Sequence, residues 1–466
     1  MTAFKNLDEL LASKTDLVDY FYNDTLAPHV KARPGLTPVP PEQSNWIDEQ
    51  RAWRNTAILF DQSHHMPELF VRGKDAMRLL SDLGINSFAN FVPNRAKQYL
   101  VCNHEGQVIG ETLMYCHAAD DFELVSGMPL LNWVEYNARI GGYDVSIERD
   151  NNTARNPTGK RVKFRFGMDG PNAGQIFKEA IEGYLPDIKF FWAANVKIAG
   201  CDVTALRHGM AGHQGVELSG RYEDGEIVRA HMLKVGEKYG LRQGGTVTYF
   251  SATAESAWMA SPFPAIFTSE KLRDYRKWLP ATTWEAGAQL GGSFVSDKIE
   301  DYYVTPWDLG VQGRIKFDHD FIGREALEKM AAKPTRARRT LVWNPEDVSR
   351  IFSSILEPGL AYKMIRLPYA AYAYQQYDAV RTLDGKIVGY STFVGYTANE
   401  AKMLSLVMID LDHAEPGTEL VLTWGEPNGG SRKAHVERHR QTEVRVTVAD
   451  APYAKTVQNI KHARIA

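Results

Sequence analysis

"LRHGMAGHQGVELSG", residues 206–220, places glycines at 209, 212, 215 and 220 around one arginine, Arg207, and one glutamate, Glu217. Glycine costs more backbone entropy to order than any other residue, so this density implies positive φ or the close approach of another body. Two readings fit the spacing. One is a plain turn between strands with Glu217 in solvent; the other is a loop that lets a ligand lie on bare backbone beside a carboxylate. Upstream, "VKIAGCDVTALRHG" (196–209) reads as a strand, and downstream "EIVRAHMLKVGEKYG" (226–240) reads as a helix ending at Gly240.

Further out, "PNAGQIFKEAIEGY" (171–184) is a helix with Pro171 near its start. "GKDAMRLLSDLGIN" (73–86) sets Met77, Leu79, Leu80 and Leu83 on one helical face, and "NLDELLASK" (6–14) does the same with Leu7, Leu10 and Leu11. "KQYLVC" and "VIGETLMYC" flank "HEGQ" as a hairpin with Gly106 in its turn. "KARPGLTPVPPEQSNW" (31–46) is too rich in proline for regular helix. After the helix "GREALEKMAAK", the basic stretch "KPTRARR" (333–339) reads as a linker. Beyond it, "TELVLTWGE" and "EVRVTVAD" alternate Leu420, Leu422, Trp424 and Val444, Val446, Val448 with period two, the pattern of an all-β module. The expected fold class is therefore α+β: a body over residues 1–332, built of two α+β subdomains, followed by a C-terminal β-barrel domain over 333–466.

Composition excludes several classes. Hydrophobic residues make up 44% of the 466, enough for a sizeable core. Lys+Arg 54 against Asp+Glu 57 leaves a net charge of -3, which argues against nucleic acid and against an anionic membrane as partners. Cys102, Cys116 and Cys201 are scattered with no CxxC, so neither a disulfide framework nor a zinc site is expected. "FDHDF", with Asp318, His319 and Asp320, cannot converge on one ion and reads as a solvated loop; no metal is expected. No basic leader and no long apolar run is present, so the expectation is a cytoplasmic protein. The oligomeric state is not legible.

Five segments, in order, resemble the folate-dependent aminomethyltransferases, the T-protein family of glycine cleavage. They are "RNTAILFDQSHHMPELFVRGKDAMRLLSDL", "AKQYLVCNHEGQVIGETLMY", "RHGMAGHQGVEL", "TPWDLGVQGRIKFDHDFIGREAL" and "DGKIVGYSTFVGYTANEAKMLSLVMIDLDHAEPGTEL". The third matches the family's Arg-x-Gly-x-x-Gly-x-x-Gly-x-Glu loop position for position, which favours the ligand-cradle reading of 206–220. "SNWIDEQRAWRNTAILFDQSHHM", "ESAWMASPFPAI" and "GGSFVSDKIEDYYV" are similar to one branch, the tetrahydrofolate-dependent aryl O-demethylases of vanillate and syringate. The aminomethyltransferases carry two adjacent acids in the hairpin where this chain reads Gly110-Glu111, which favours a different one-carbon donor. Aminomethyl transfer or N-demethylation is the alternative.

The resemblance implies tetrahydrofolate as cofactor. Glu217 would accept adjacent donors of the pterin edge as a charge-assisted pair. Gln62 and Gln98 would serve its remaining polar edge, while Trp258 and Val125 would wall the slot. It implies a methoxyarene as small-molecule substrate, Tyr249 as proton carrier at the leaving oxygen and His65 as the second candidate, with His64 its neighbour. The related demethylases anchor the substrate carboxylate with an arginine after the strand that precedes "NW". Here "ELVSGMPLLNW" offers Ser126, Gly127 and Met128 instead, and the loop before "SNW" lacks the family's tyrosine. Ser126, Met128 and Phe250 are the substrate-side candidates. Met128 and Leu36 favour an apolar ring such as the chlorinated methoxybenzoate dicamba.

Overall fold

The computed structural model describes residues 4–25, 38–156, 158–209, 215–259, 262–370, 372–373 and 375–458. β1 (Ala57–Asp61) belongs to one sheet and β2 (Glu68–Arg72) to another, so the chain changes layer across residues 62–67. The first sheet adds β3 (Arg95–Cys102), β4 (Val108–Ala118), β5 (Asp121–Ser126) and β6 (Ser146–Asp150) in the order β3-β4-β5-β2-β6, antiparallel throughout. The second takes β7 (Lys163–Asp169), β8 (Ile181–Glu182), β9 (Ala193–Ile198), β10 (Cys201–Arg207), β11 (Gly215–Arg221) and β12 (Leu241–Gly244). Its order is β12-β1-β7-β11-β10-β9-β8, and only β1 and β12 run parallel.

Alternation explains why the two sheets face each other with polar inner surfaces. In β7, "KFRFGMD" sends Phe164, Phe166 and Met168 into one apolar core, which leaves Arg165, Gly167 and Asp169 on the opposite face. In β5, Phe122 and Leu124 enter the other core beneath the helix Met128–Ile140, and Glu123 and Val125 turn the other way. The space between the sheets is therefore lined by buried ionisable groups beside a small apolar cluster of Ala96, Val125 and Leu206.

β13 (Leu290–Gly291) pairs with β15 (Gln375–Gln376). The remaining strands close a barrel: β14 (Arg336–Trp343), β16 (Asp378–Arg381), β17 (Ile387–Thr397), β18 (Lys402–Asp410), β19 (Glu419–Trp424) and β20 (Thr442–Ala449). Their order is β14-β18-β17-β16-β19-β20. Leu420, Leu422, Trp424, Val444, Val446 and Val448 all face its interior core, as the alternation requires. An α+β body joined to a closed barrel is the fold class that the patterning predicts.

Two local expectations are corrected. The stretch 333–339 is not simply a linker, because β14 begins at Arg336 and pairs with β18 from that residue onward. Basic side chains cover the strand's half-buried start. The segment 196–209 is not one strand: Ala199 (φ 49°) and Gly200 (φ 80°) turn the chain between β9 and β10, which pair antiparallel.

Barrel and body are tied together by a buried carboxylate. Glu255 accepts from Trp53 Nε1 at 3.0 Å, Arg54 Nη2 at 3.0 Å, Asn399 Nδ2 at 2.9 Å and the Thr397 hydroxyl. Gln50 adds bonds to the Ser251 hydroxyl and to the carbonyl of Tyr396.

Candidate active site

At the centre of the inter-sheet space lies Arg165, only 1% exposed. Its Nη1 donates to Glu217 Oε1 at 2.5 Å and to the Tyr115 hydroxyl at 2.8 Å; its Nη2 donates to Glu123 Oε1 at 2.5 Å and Glu68 Oε1 at 3.1 Å. Tyr115 also donates to Glu217 Oε1 at 2.6 Å. Both donors fall on Oε1, which leaves Oε2 facing His208 Nδ1 at 3.7 Å. Burial raises the Glu217 pKa, but Arg165 and then His208 outweigh it and hold the carboxyl down at about 2. Glu217 is thus held ionised, with Oε1 doubly engaged and Oε2 beside His208. Glycine at 215 is required sterically: a Cβ there would stand 2.4 Å from Asp169 Oδ1. Gly212 lies outside the described residues.

Tyr249 and His65 come together, although far apart in sequence. His65 Nε2 and the Tyr249 hydroxyl are 3.1 Å apart, with ring centroids at 4.8 Å. Gln62 hydrogen-bonds the same hydroxyl. Gln62 and His65 reach it because both ride on the segment that crosses between sheets. Gly167 leaves room for the Gln62 amide, since a Cβ there would be 2.8 Å from Nε2. Burial pushes the Tyr249 pKa well up, so it stays protonated. Burial also lowers His65 to about 4, so its ring is neutral near pH 7. Phe250 packs against Tyr249 at 5.5 Å and stacks near Tyr369 of the barrel domain at 6.3 Å.

The third group converges on an acid that the sequence did not single out. Glu111, buried on β4, accepts from Trp258 Nε1 at 2.5 Å and from Gln98 Nε2. Burial raises its pKa even though both hydrogen bonds oppose the shift. Ala257, at φ 53° in the left-handed region, aims Trp258 at this acid, and Arg338 Nη1 donates to the Ala257 carbonyl at 2.5 Å. Val125 packs with Ala96, Tyr115 and Leu206. The Ser126 hydroxyl donates to the Glu111 carbonyl, and Met128 Sδ is 3.8 Å from Arg149 Nη1. Leu36 lies outside the described residues. Arg165 and Tyr115 were also not singled out; the signal for Arg165 was a charged residue at an inward position of an aromatic-flanked strand. Among the described residues no cluster of three or more metal-ligating side chains occurs, and His319 caps the Gly84 carbonyl at 3.0 Å.

The titrations set an acid limit on stability. His65 has its folded pKa below the unfolded value of 6.5, so its contribution is present above pH 6.5 and lost as pH falls toward 4. The corresponding window for Glu217 runs from 4.5 down to about 2. Urea unfolding should therefore show lower stability at pH 5 than at pH 7, with most of the difference absent in His65→Gln. What remains is the balance of His104, which burial also lowers, against Asp378, which burial raises to about 6 and which therefore adds stability as pH falls. An undiminished pH 7-to-5 drop in His65→Gln contradicts the assignment.

The model of the GCVT N-terminal domain matches residues 19–261. Syringate O-demethylase from Sphingobium sp. is 46% identical over 450 residues, covering 97% of this chain and 96% of that protein. Sesamin methylene transferase from Sinomonas sp. is 28% identical over 447 residues, covering 90% and 91%. Among solved structures, the glycine cleavage system aminomethyltransferase T from Bartonella henselae shares the fold at a TM-score of 0.60 and 15% identity, covering 88% of this chain and 90% of that one. No helix among the described residues is long and apolar enough to cross a membrane.

Proposed function

Since the chain belongs to the GCVT family of tetrahydrofolate-dependent one-carbon transfer enzymes, we propose that it demethylates a methoxylated aromatic acid, moving the ether methyl to N5 of tetrahydrofolate and releasing a phenol. The observation that supports the reading is a buried, ionised Glu217 whose Oε2 meets only His208, at 3.7 Å among the described residues, and whose charge acts on the Tyr249–His65 pair. This fits a pterin edge, which presents adjacent N–H donors to a carboxylate. Glu217 would hold that edge, with Gln62 and Gln98 on the remaining polar atoms and Val125 and Trp258 as walls. Tetrahydrofolate, when bound, would supply a secondary amine as nucleophile.

The protein's own contribution is at the leaving oxygen. A phenoxide has a parent pKa of about 10 and departs poorly unless protonated. Tyr249 Oη, protonated throughout the neutral range, gives its proton to that oxygen. The neutral ring of His65 accepts from the hydroxyl through Nε2 and orients it, and the proton that the nucleophilic amine would lose replaces the one Tyr249 gives up. Dry surroundings strengthen both contacts, and general acid assistance of this kind is worth about 10²- to 10⁴-fold.

On the substrate side, Phe250 and half-buried Met128 offer apolar contact. Ser126 spends its hydroxyl on a neighbouring carbonyl. These features favour a chlorinated methoxybenzoate such as dicamba. A second reading, syringate itself, is favoured by the 46% identical relative. Incubation with tetrahydrofolate and dicamba, vanillate or syringate in parallel, reading 5-methyltetrahydrofolate and the released phenol, decides between them. Turnover of dicamba is expected. Brisk vanillate turnover with none of dicamba sinks the chlorinated preference, and one-carbon transfer from a glycine-derived amine with no phenol released supports aminomethyl transfer instead.

A further inference from the structure

Beyond Glu111 and Trp258, two half-buried arginines have no carboxylate within ion-pair distance among the described residues. Arg314, half-buried at the end of the turn Gln312–Arg314, makes no side-chain hydrogen bond or ion pair among the described residues. Arg338, half-buried on β14, spends Nη1 on the Ala257 carbonyl, and its buried Nε has no hydrogen-bond partner. Its guanidinium lies over Gly310, where a Cβ would come within 2.9 Å. Both act electrostatically on the same acid, Glu111, which is engaged by Gln98 and Trp258 and makes no ion pair with either arginine among the described residues.

Burial lowers the pKa of both guanidinium groups, Arg338 to about 10, and Glu111 offsets this only in part. Other buried cations sit directly on carboxylates: Arg165 has three, and Lys363 donates to Glu426 at 2.5 Å. Desolvated charge left uncompensated is costly, which makes its retention beside a ligand slot informative.

We propose that Arg314 and Arg338 form an anion subsite for a carboxylate carried by one of the reactants. This rests on the functional reading above, and it answers how a carboxylate is held in a chain without an arginine at 126–128. Two sources share the chemistry: the glutamate of tetrahydrofolate and the carboxylate of the aromatic acid. Arginine presents a planar fork of donors that suits either.

Two arms separate the sources. In the first, binding of tetrahydrofolate is compared with that of 6-methyltetrahydropterin, which has the ring but no glutamate. In the second, KM for the methoxybenzoate that is turned over is compared with KM for its methyl ester. Wild-type protein should favour the carboxylate-bearing partner by about tenfold or more in at least one arm, as befits a charge-assisted contact. Arg314→Gln, Arg338→Gln and the double variant should erase that preference while leaving the other arm unchanged. Loss in the first arm assigns the subsite to the folate; loss in the second assigns it to the substrate. Wild-type protein indifferent to the carboxylate in both arms overturns the subsite without any variant needing to fold. A preference that survives in the double variant overturns it as well. Wild-type protein that binds neither tetrahydrofolate nor the pterin fails the functional reading itself, and the subsite falls with it.

Discussion

Tyr249→Phe should lower kcat by about 10²- to 10⁴-fold, with tetrahydrofolate affinity unchanged. The ring keeps its contacts with Phe60 at 5.4 Å and Phe250 at 5.5 Å, so only the hydroxyl is lost. That hydroxyl is the one group that both His65 and Gln62 grip. Its high pKa makes it a donor rather than a base, and the neutral His65 cannot replace it, because an imidazole held neutral has no second proton to give. Single-turnover phenol formation measures the step without product release. The pH profile adds a second readout: between pH 6 and 9 the wild-type rate should be flat, since Tyr249 stays protonated and His65 uncharged across that interval. A Tyr249→Phe variant with wild-type kcat removes the hydroxyl from the acid role.

Glu217→Ala should raise the Kd for reduced folate by about 10- to 100-fold. Hydrogen bonds to a charged group contribute about 1.5–3 kcal/mol, and each 1.4 kcal/mol is a factor of ten. Stability should fall as well, because Arg165 Nη1 and the Tyr115 hydroxyl lose their common acceptor, at about 1–3 kcal/mol for each group left unsatisfied. Glu217→Gln separates the two effects. Its amide oxygen can still accept from Arg165 and Tyr115, so most of the stability returns, but the negative charge offered to a pterin edge does not. Calorimetric titration and urea unfolding of both variants give the two numbers independently. Unaltered folate affinity in Glu217→Ala ends the assignment of this carboxylate to the pterin.

The parts of the architecture legible beforehand are those where one periodicity dominates. β19 and β20 alternate cleanly, and the helix Ala76–Leu83 shows one apolar stripe, so both were readable without tertiary knowledge. Residues 333–339 were misread because a run of basic residues resembles a solvated link, while pairing with β18 depends on a segment some seventy residues away. For the site, the glycine loop and its acid stood out locally. Arg165 did not, because its meaning comes from three acids on other strands that no local pattern connects. Glu111 was visible only as half of a departure from a family pattern. Its significance depends on Gln98 and Trp258 arriving from β3 and from a left-handed turn at Ala257.

The carboxylate of Glu255 has a mechanical meaning. Glu255, six residues after Tyr249 in the chain, gathers donors from the helix Trp46–Asn55 and from the barrel's Thr397 and Asn399. The position of the Tyr249 hydroxyl is thereby indexed to the barrel, as a key is to its tumbler. Drift or exchange in the C-terminal module should register as altered turnover before it registers as altered binding. A chimaera that grafts a foreign barrel onto this body would have to rebuild that junction before its chemistry could run.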